Sequence, residues 1–515
     1  APSLWAMSHS DRTTKWSINP FVFWVSAGLT VGFVLFSVLN LQQMTEVFDG
    51  VLGFLTARMG WFFVLCVNVY LVVVLYLLLS RHGRIRLGGD SARPDFSTWG
   101  WLAMLFSAGM GIGLMFWSVA EPIYHFTSPP WGEAGTPEAA KLAMGITLFH
   151  WGFHAWGLYG LMALALAYFA YNQGLPLTVR STFYPLLGAK IHGRWGDVID
   201  TLATLATLFG LATSLGLGAQ QVNAGMSHLF GLPHSVTVQV VLIALITAMA
   251  MTSVVLGVDR GIRRLSQLNV MIAGLLLLFV LIAGPTRYLL DALVQNMGIY
   301  LRMLPRLGFS TEAYRETQWQ HGWTIFYWAW WIAWAPFVGL FVARVSRGRT
   351  VREFLAAILL VPTMATFVWL TVFGNSALHV ELFGAGGITA AVKDNVAVAL
   401  FVLLEQYPLS AITCGLAVCI VVTFFVTSSD SASLVVDIIT AGGDPDPPKK
   451  QRVFWASMEG IVAAVLLMGG GLLALQTAVV VTGLPFALVL LLLSVSLIRG
   501  LETRTPSPPA SPDRP

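Results

Sequence analysis

The stretch Gly322–Phe341, GWTIFYWAWWIAWAPFVGLF, holds Trp323, Trp328, Trp330, Trp331 and Trp334 with Phe326, Tyr327, Phe337 and Phe341, and it carries no charge. At spacings of four, three and seven, Tyr327, Trp331, Trp334 and Phe341 fall on one face of a helix, with Trp330 one turn before Trp334 beside them. Such a run is long enough to cross a hydrocarbon core of roughly 30 Å. Indole N–H groups need partners, so tryptophan gathers at membrane interfaces rather than in mid-span. Five in one span therefore point to a lining, a stack of π-faces turned towards something inside the protein. A quaternary ammonium group suits such faces, because it has no N–H to donate and is held by cation–π attraction. The same spacing also serves helix–helix packing.

Three further clusters carry chemistry. Ser107-Ala108-Gly109-Met110-Gly111-Ile112-Gly113 sets glycines at alternate positions of an apolar helix, each costing about 1 kcal/mol against Ala. The segment can unwind, and unwound backbone at membrane depth is tolerated where it lines a cavity and offers N–H and C=O groups as ligands. Gly109 and Gly113, four apart, also make a small-residue packing face. After Phe424, the run Thr427-Ser428-Ser429-Asp430-Ser431 places hydroxyls and a carboxylate in an apolar span. Clustered hydroxyl and carbonyl oxygens suit a hard cation such as Na⁺, although single hydroxyls also bond back to the preceding turn, and an intramembrane carboxylate is a functional candidate. Trp151, Trp156 and Tyr159 surround His150 and His154 close to one side of another span. They too could be packing residues.

The elements that must position these groups follow from composition. The chain of 515 residues is 56% hydrophobic and only 10% charged, with a mean hydropathy of +0.74, far outside the range of a soluble domain. It reads as an all-α integral membrane protein, because a spanning backbone must satisfy its own hydrogen bonds. About twelve spans are expected, at about 20–41, 60–80, 98–120, 142–171, 198–226, 236–257, 265–285, 322–343, 354–374, 409–439, 453–472 and 475–498. The residues Arg12 and Lys15 precede the first. Every even-numbered span is followed by a basic loop: Arg81, Arg84, Arg86 and Arg93; Arg180, Lys190 and Arg194; Arg260, Arg263 and Arg264; Arg344, Arg347, Arg349 and Arg352; Lys449, Lys450 and Arg452; Arg499 and Arg504. The loops between are acidic, mixed or neutral, so both termini are expected in the cytoplasm. The net charge of +4 thus marks membrane boundaries and implies no nucleic-acid partner.

Two longer connections, 286–321 and 375–408, hold amphipathic sequence around Tyr288–Leu304 and Ile388–Leu403. Cys66, Cys414 and Cys419 lie in apolar runs and indicate neither disulfide nor metal site. His150 and His154 have ligand spacing but no carboxylate near them in sequence, which disfavours a metal site other than for Na⁺, and with it a membrane enzyme. A channel would need a continuous polar lining. Met7 is a candidate start, with six residues before it.

The run GWTIFYWAWW at Gly322–Trp331 followed by Arg344-Val-Ser-Arg-Gly-Arg-Thr-Val-Arg352 resembles the signature of the betaine/choline/carnitine transporters. GMGIGLMF at Gly109–Phe116, AEP at Ala120–Pro122, FHW at Phe149–Trp151 and TSSDSAS at Thr427–Ser433 match in order. The resemblance, over residues 20–498, implies a sodium-symporter-like fold. The segments are then a cytoplasmic start (1–19), two leading helices (20–97), a five-helix repeat (98–285), an outer connection (286–321), a second, inverted repeat (322–498) and a short cytoplasmic tail (499–515). It also implies a homotrimer in a bacterial inner membrane and uptake of a small quaternary ammonium solute with Na⁺, or H⁺, as coupling ion and no cofactor. The substrate residues it implies are Trp151, Trp156, Tyr159, Met110, Trp331, Trp334 and Phe341, with Trp330 and Gly113 on the pathway. Sodium would be held through Ser107, Met110, Phe424, Thr427 and Ser428. A second sodium site is doubtful, since Thr207 and Phe337 are present but Leu211 stands where the family has a threonine.

Gly113, where choline-type members carry Asp, favours a zwitterion such as glycine betaine, with Glu121 about two turns away. The tracts Leu175–Gly188 and Phe373–Leu378 look closer to choline-type members. Osmotically gated relatives use a long basic C-terminal helix on anionic lipid. The prolines Pro506, Pro508, Pro509, Pro512 and Pro515 forbid such a helix, so transport independent of osmolality, even without Thr505–Pro515, is expected.

Overall fold

Backbone hydrogen bonds inside a bilayer must close within the protein, and this chain closes them with helices. The computed structural model describes residues 18–109, 111–256, 259–314 and 317–503; among these there is no strand, only an isolated bridge between Arg86 and Thr350. The Thr505–Pro515 tail and Met110 lie outside the described residues. Helices α1 (Pro20–Leu39) and α2 (Leu41–Leu79) lead. The pairs α3 (Thr98–Gly109) with α4 (Ile112–Thr127) and α5 (Pro137–His150) with α6 (Phe153–Tyr171) are broken spans, followed by α7 (Arg194–Phe230), α8 (Val236–Leu256) and α9 (Asp259–Ala283). Then come α10 (Thr286–Gly308), α11 (Thr324–Val345), α12 (Val351–Leu370), which runs on through a π-turn at Thr371–Asn375 into α13 (Ser376–Phe383), and the short α14 (Ile388–Asp394) and α15 (Ala399–Glu405). Helices α16 (Ser410–Thr440) and α17 (Lys449–Glu502) close the chain.

Ten of these helical runs are long and apolar enough to cross a membrane, and the bent α3/α4 pair adds another. At 54 residues α17 spans about 80 Å if straight, far more than a bilayer. It breaks at Gly470 and Gly471, where Gly471 has φ +57° and ψ −131°, a conformation that only glycine adopts readily. Counting its two halves gives twelve crossings among the described residues, at the expected positions.

The structure departs from expectation between the first two spans. Residues 42–59 form no loop but the first turns of a 39-residue α2, separated from α1 by Asn40 alone. This stretch stays helical because it docks: Met44 and Phe48 are buried, Gly469 and Gly470 lie against them, Thr45 donates to the Gly469 carbonyl at 3.1 Å, and Thr477 donates to that of Phe48 at 3.3 Å. The orphaned carbonyls of the α17 break are thus partly satisfied by its neighbour. The amphipathic helix expected over Tyr288–Leu304 is present as α10. That expected over Ile388–Leu403 is split, because Asn395 is extended and its side chain caps the next turn at Ala397 N–H, 3.0 Å.

The basic loops do more than orient the chain. In the loop after α11, Gly348 N–H donates to Leu87 O at 2.8 Å, Leu87 N–H to Arg349 O at 2.9 Å, and Val351 N–H to Ile85 O at 2.8 Å. The Arg349 guanidinium stacks 4.5 Å over Trp101 and donates to Thr98 Oγ1 and Phe96 O, so this arginine is buried although it was counted as a boundary charge. Arg180 likewise donates from its guanidinium to both Asp197 and Asp200. The Leu87, Val351 and Arg349 contacts tie the loop after α2 and the start of α3 to the turn between α11 and α12. Gly348 has φ +82°, and a Cβ there would lie 2.3 Å from the Arg93 carbonyl. Gly348→Ala is therefore expected to cost on the order of 1–3 kcal/mol, read as a melting temperature several degrees lower in detergent by scanning fluorimetry, with the aromatic cavity itself unaltered.

Candidate functional site

A helix that stops in mid-membrane exposes N–H and C=O groups that only other protein can satisfy, and two such stops face one another here. The α3/α4 pair bends by 60° around the glycine run, with Gly111 extended. The α5/α6 pair stops at Trp151 and Gly152, where the freed Phe153 N–H donates to the Tyr300 hydroxyl at 2.8 Å. A Cβ on Gly152 would meet that hydroxyl at 2.5 Å, so the close approach requires glycine.

Between these breaks and helices α11 and α16 lies a cavity of about 230 Å³. Its wall includes Trp151, Trp156, Tyr159, Trp330, Trp331, Trp334, Phe337 and Phe341, with Gly113 and, at one side, Ser107, Phe424, Thr427 and Ser428. Every described residue expected to bind substrate or the first sodium ion thus reaches one space; Met110 lies outside the described residues. Thr207 is not in the wall: it is buried and its hydroxyl donates back to Ala203 O at 2.8 Å, with Leu211 buried one turn on. Phe337 does reach the cavity, edge-on to Trp334 at 5.1 Å.

The rings are held at fixed angles. Trp151 and Trp331 meet edge to face at 4.9 Å and 71°, Trp156 and Tyr159 at 5.4 Å and 69°, Tyr159 and Trp331 at 6.3 Å and 72°. Such edge-to-face contacts are a favoured geometry for paired rings, and all four line the cavity. Trp330, expected on the pathway, stacks flat on Trp331 at 5.0 Å and 11° and lines the cavity. The indoles are tethered from behind: Trp331 donates to His150 O and Trp334 to Gly210 O, each at 2.9 Å, and Trp151 to Glu121 Oε2 at 3.0 Å. Beside Ser428, Thr427 donates to Thr423 O at 2.9 Å, which leaves its oxygen lone pairs available.

One aromatic of the expected helical face has another task. Tyr327 is fully buried, does not line the cavity, stacks on His150 at 4.6 Å and donates its hydroxyl to Glu121. Glu121 is the residue that reasoning from spacing underrated. Read as the nearest acid along its own helix, it in fact gathers His125, His150, Trp151 and Tyr327 from three helices. His150 lies twenty-nine residues from Glu121 in sequence, so no local pattern signals the pairing. The donor atoms of Glu121, His125 and His150 lie within 4.8 Å of one another, close enough to hold a metal ion. Each histidine also has a hydrogen-bond partner on its far side: Trp319 on His125 Nδ1 at 3.2 Å and Thr324 on His150 Nε2 at 3.0 Å.

The cavity has one sealed and one wider end. Above it, Trp117, Trp323 and His125 interlock, with Trp117 and Trp323 at 5.3 Å and His125 and Trp323 at 4.5 Å. Below it, a second cavity of about 220 Å³ shares Phe337, Phe341 and Ser431 with the first and is edged by Arg344, Asp430 and Arg452. Phe341, 36% exposed, lines both spaces.

Comparison with known proteins agrees with the motifs. The profile of the betaine/carnitine/choline family of transporters matches residues 21–506. A glycine betaine/proline/choline transporter of Vibrio parahaemolyticus is 47% identical over 94% of this chain and 90% of its own length. A glycine betaine transporter of Acinetobacter baylyi is 47% identical over 94% of this chain and 74% of its own, and the high-affinity choline transport protein of Escherichia coli 42% identical over 96% and 74%. A multi-pass helical chain with an aromatic cavity at two broken helices, matched from end to end in this way, is a membrane transporter and no enzyme: it belongs to the betaine/carnitine/choline transporter family.

Proposed function

We propose that this protein imports a small trimethylammonium solute, glycine betaine before choline, across the bacterial inner membrane by alternating access coupled to Na⁺. The observation that carries the reading is the convergence of Trp151, Trp156, Tyr159, Trp331 and Trp334 on a single cavity that also reaches Ser107, Phe424, Thr427 and Ser428. A quaternary ammonium group among π-faces gains cation–π attraction that water cannot match, and a cation held beside it by hydroxyl and carbonyl oxygens couples the two occupancies through the same unwound segment. With the basic loops in the cytoplasm, the wider end edged by Arg344 and Arg452 faces inwards and the Trp117–Trp323 seal faces out. Helices α3–α9 and α11–α17 then act as two inverted repeats around the site, in a homotrimer.

The preference for a zwitterion rests on Gly113. A carboxylate there would repel that of betaine and attract bare choline. Choline coupled to H⁺ is the second reading, favoured by Glu121, whose carboxylate reaches the cage through Trp151.

Three outcomes test this. Trp331→Ala and Trp334→Ala each remove a wall worth on the order of 0.5–2 kcal/mol, together with its exclusion of water; both are expected to abolish saturable betaine uptake in proteoliposomes while the protein still inserts. Near-normal affinity in either would reject the site. A Cβ at Gly113 would lie 2.5 Å from Trp330 and 3.3 Å from Trp151, so Gly113→Ala is expected to weaken betaine and choline alike, and Gly113→Asp to add to that steric loss a shift towards choline. An unchanged betaine-to-choline ratio in competition assays would place specificity elsewhere. Sodium titration of uptake should give a Hill coefficient of about 1, with Ser428→Ala raising the sodium concentration required; uptake that follows a proton gradient without sodium would favour the second reading.

A further inference from the structure

Glu121 is wholly buried behind the cage, and its ion-pair partners among the described residues are two histidines, with no lysine or arginine. We propose that Glu121 is a positioning and polarising residue that makes this aromatic cavity select cationic over uncharged headgroups, acting through its hydrogen bonds to Trp151 and Tyr327. The inference rests on the trimethylammonium reading above and adds to it the origin of charge selectivity.

The hydrogen bonds fix where protons sit. Trp319 N–H only donates, so His125 Nδ1 accepts from it at 3.2 Å and that ring carries its proton on Nε2, which lies 3.4 Å from Glu121 Oε1 without a hydrogen bond to it. Thr324 Oγ1 lies 3.0 Å from His150 Nε2; with its hydroxyl donating there, Nδ1–H is left for Glu121 Oε1, at 2.6 Å. Trp151 N–H and the Tyr327 hydroxyl both reach Oε2. Three donors thus converge on one carboxyl group, with His125 Nε2 3.4 Å away, an arrangement that suits an anion.

The negative charge then bears on the cavity in two ways. A charge-assisted bond from an indole N–H polarises the ring and enriches its π-face, the feature that attracts a quaternary ammonium. Trp151 is the ring so held, and it lines the cavity edge-on to Trp331. Tyr327 and Trp331 are also in ring contact at 5.7 Å. Inside the protein, away from water and salt, the field of the carboxylate itself is weakly screened. Trp331 and Trp334 donate to backbone carbonyls and lack this link.

The test compares headgroups that differ only in charge. Affinities of purified protein for glycine betaine and choline are measured by tryptophan fluorescence against their uncharged-headgroup carbon isosteres, 3,3-dimethylbutanoate and 3,3-dimethylbutan-1-ol. The unaltered protein is expected to prefer each ammonium. Glu121→Gln, which keeps the shape but not the charge, should cut that preference about ten-fold while changing isostere affinity by no more than about two-fold, and Glu121→Asp should restore most of it. Equal loss of ammonium and isostere, or an unchanged preference, overturns the inference in favour of a purely structural role. If Glu121→Gln does not yield folded protein, Trp151→Phe and Trp331→Phe decide. Both replace an indole by a phenyl ring, but only the first breaks a link to the carboxylate, so preference must fall further in Trp151→Phe; an equal fall rejects the proposal. No preference in the unaltered protein would instead reject the trimethylammonium reading itself.

Discussion

The cost of interrupting a helix inside a membrane governs this molecule. Where α3 stops before α4 and α5 before α6, backbone groups lose their partners in a medium that supplies none. The chain accepts that cost at two facing places and surrounds them with protein. Tyr300 of α10 fills the α5/α6 break from outside, and Gln221 of α7 donates to the Met115 carbonyl at 3.0 Å beyond the α3/α4 break. Because the breaks must be buried, the cavity sits at the centre of the bundle, and because they are breaks, Trp151 and Gly113 can approach a ligand more closely than side chains on intact helices.

A second constraint is the orientation of five indoles in a confined space. Large rings bury much apolar surface, but each N–H demands an acceptor. The solution differs from ring to ring: backbone carbonyls for Trp331 and Trp334, and a carboxylate for Trp151, while the buried Trp330 Nε1 has no partner among the described residues and that ring is held by stacking. That carboxylate in turn needs donors, and His150 and Tyr327 supply them beside Trp151, with His125 3.4 Å away. The polar cluster behind the cage is therefore not separable from the cage; fixing the rings and charging their surroundings are one arrangement.

The periphery repeats the logic. Boundary arginines set the sidedness of such a chain, yet Arg349 and Arg180 are also pinned by stacking or paired carboxylates. Residues of the type that marks membrane boundaries thus also give local order here.

Composition and periodicity determined the membrane class and the succession of spans, because hydropathy over about 20 residues and helical spacing are local properties, while the set of residues expected to line the site came from resemblance to the family. What local pattern could not carry was the identity of a neighbour. The helical face of Tyr327 was correct, but whether that face met substrate or Glu121 depended on how α4 and α5 pack against α11. The helical 42–59 stretch depended on α17 breaking beside it, and the split at Asn395 on a single side-chain cap. A helix announces which side it buries; only the assembled bundle decides what it buries that side against, since that choice is made by contacts between segments far apart in sequence.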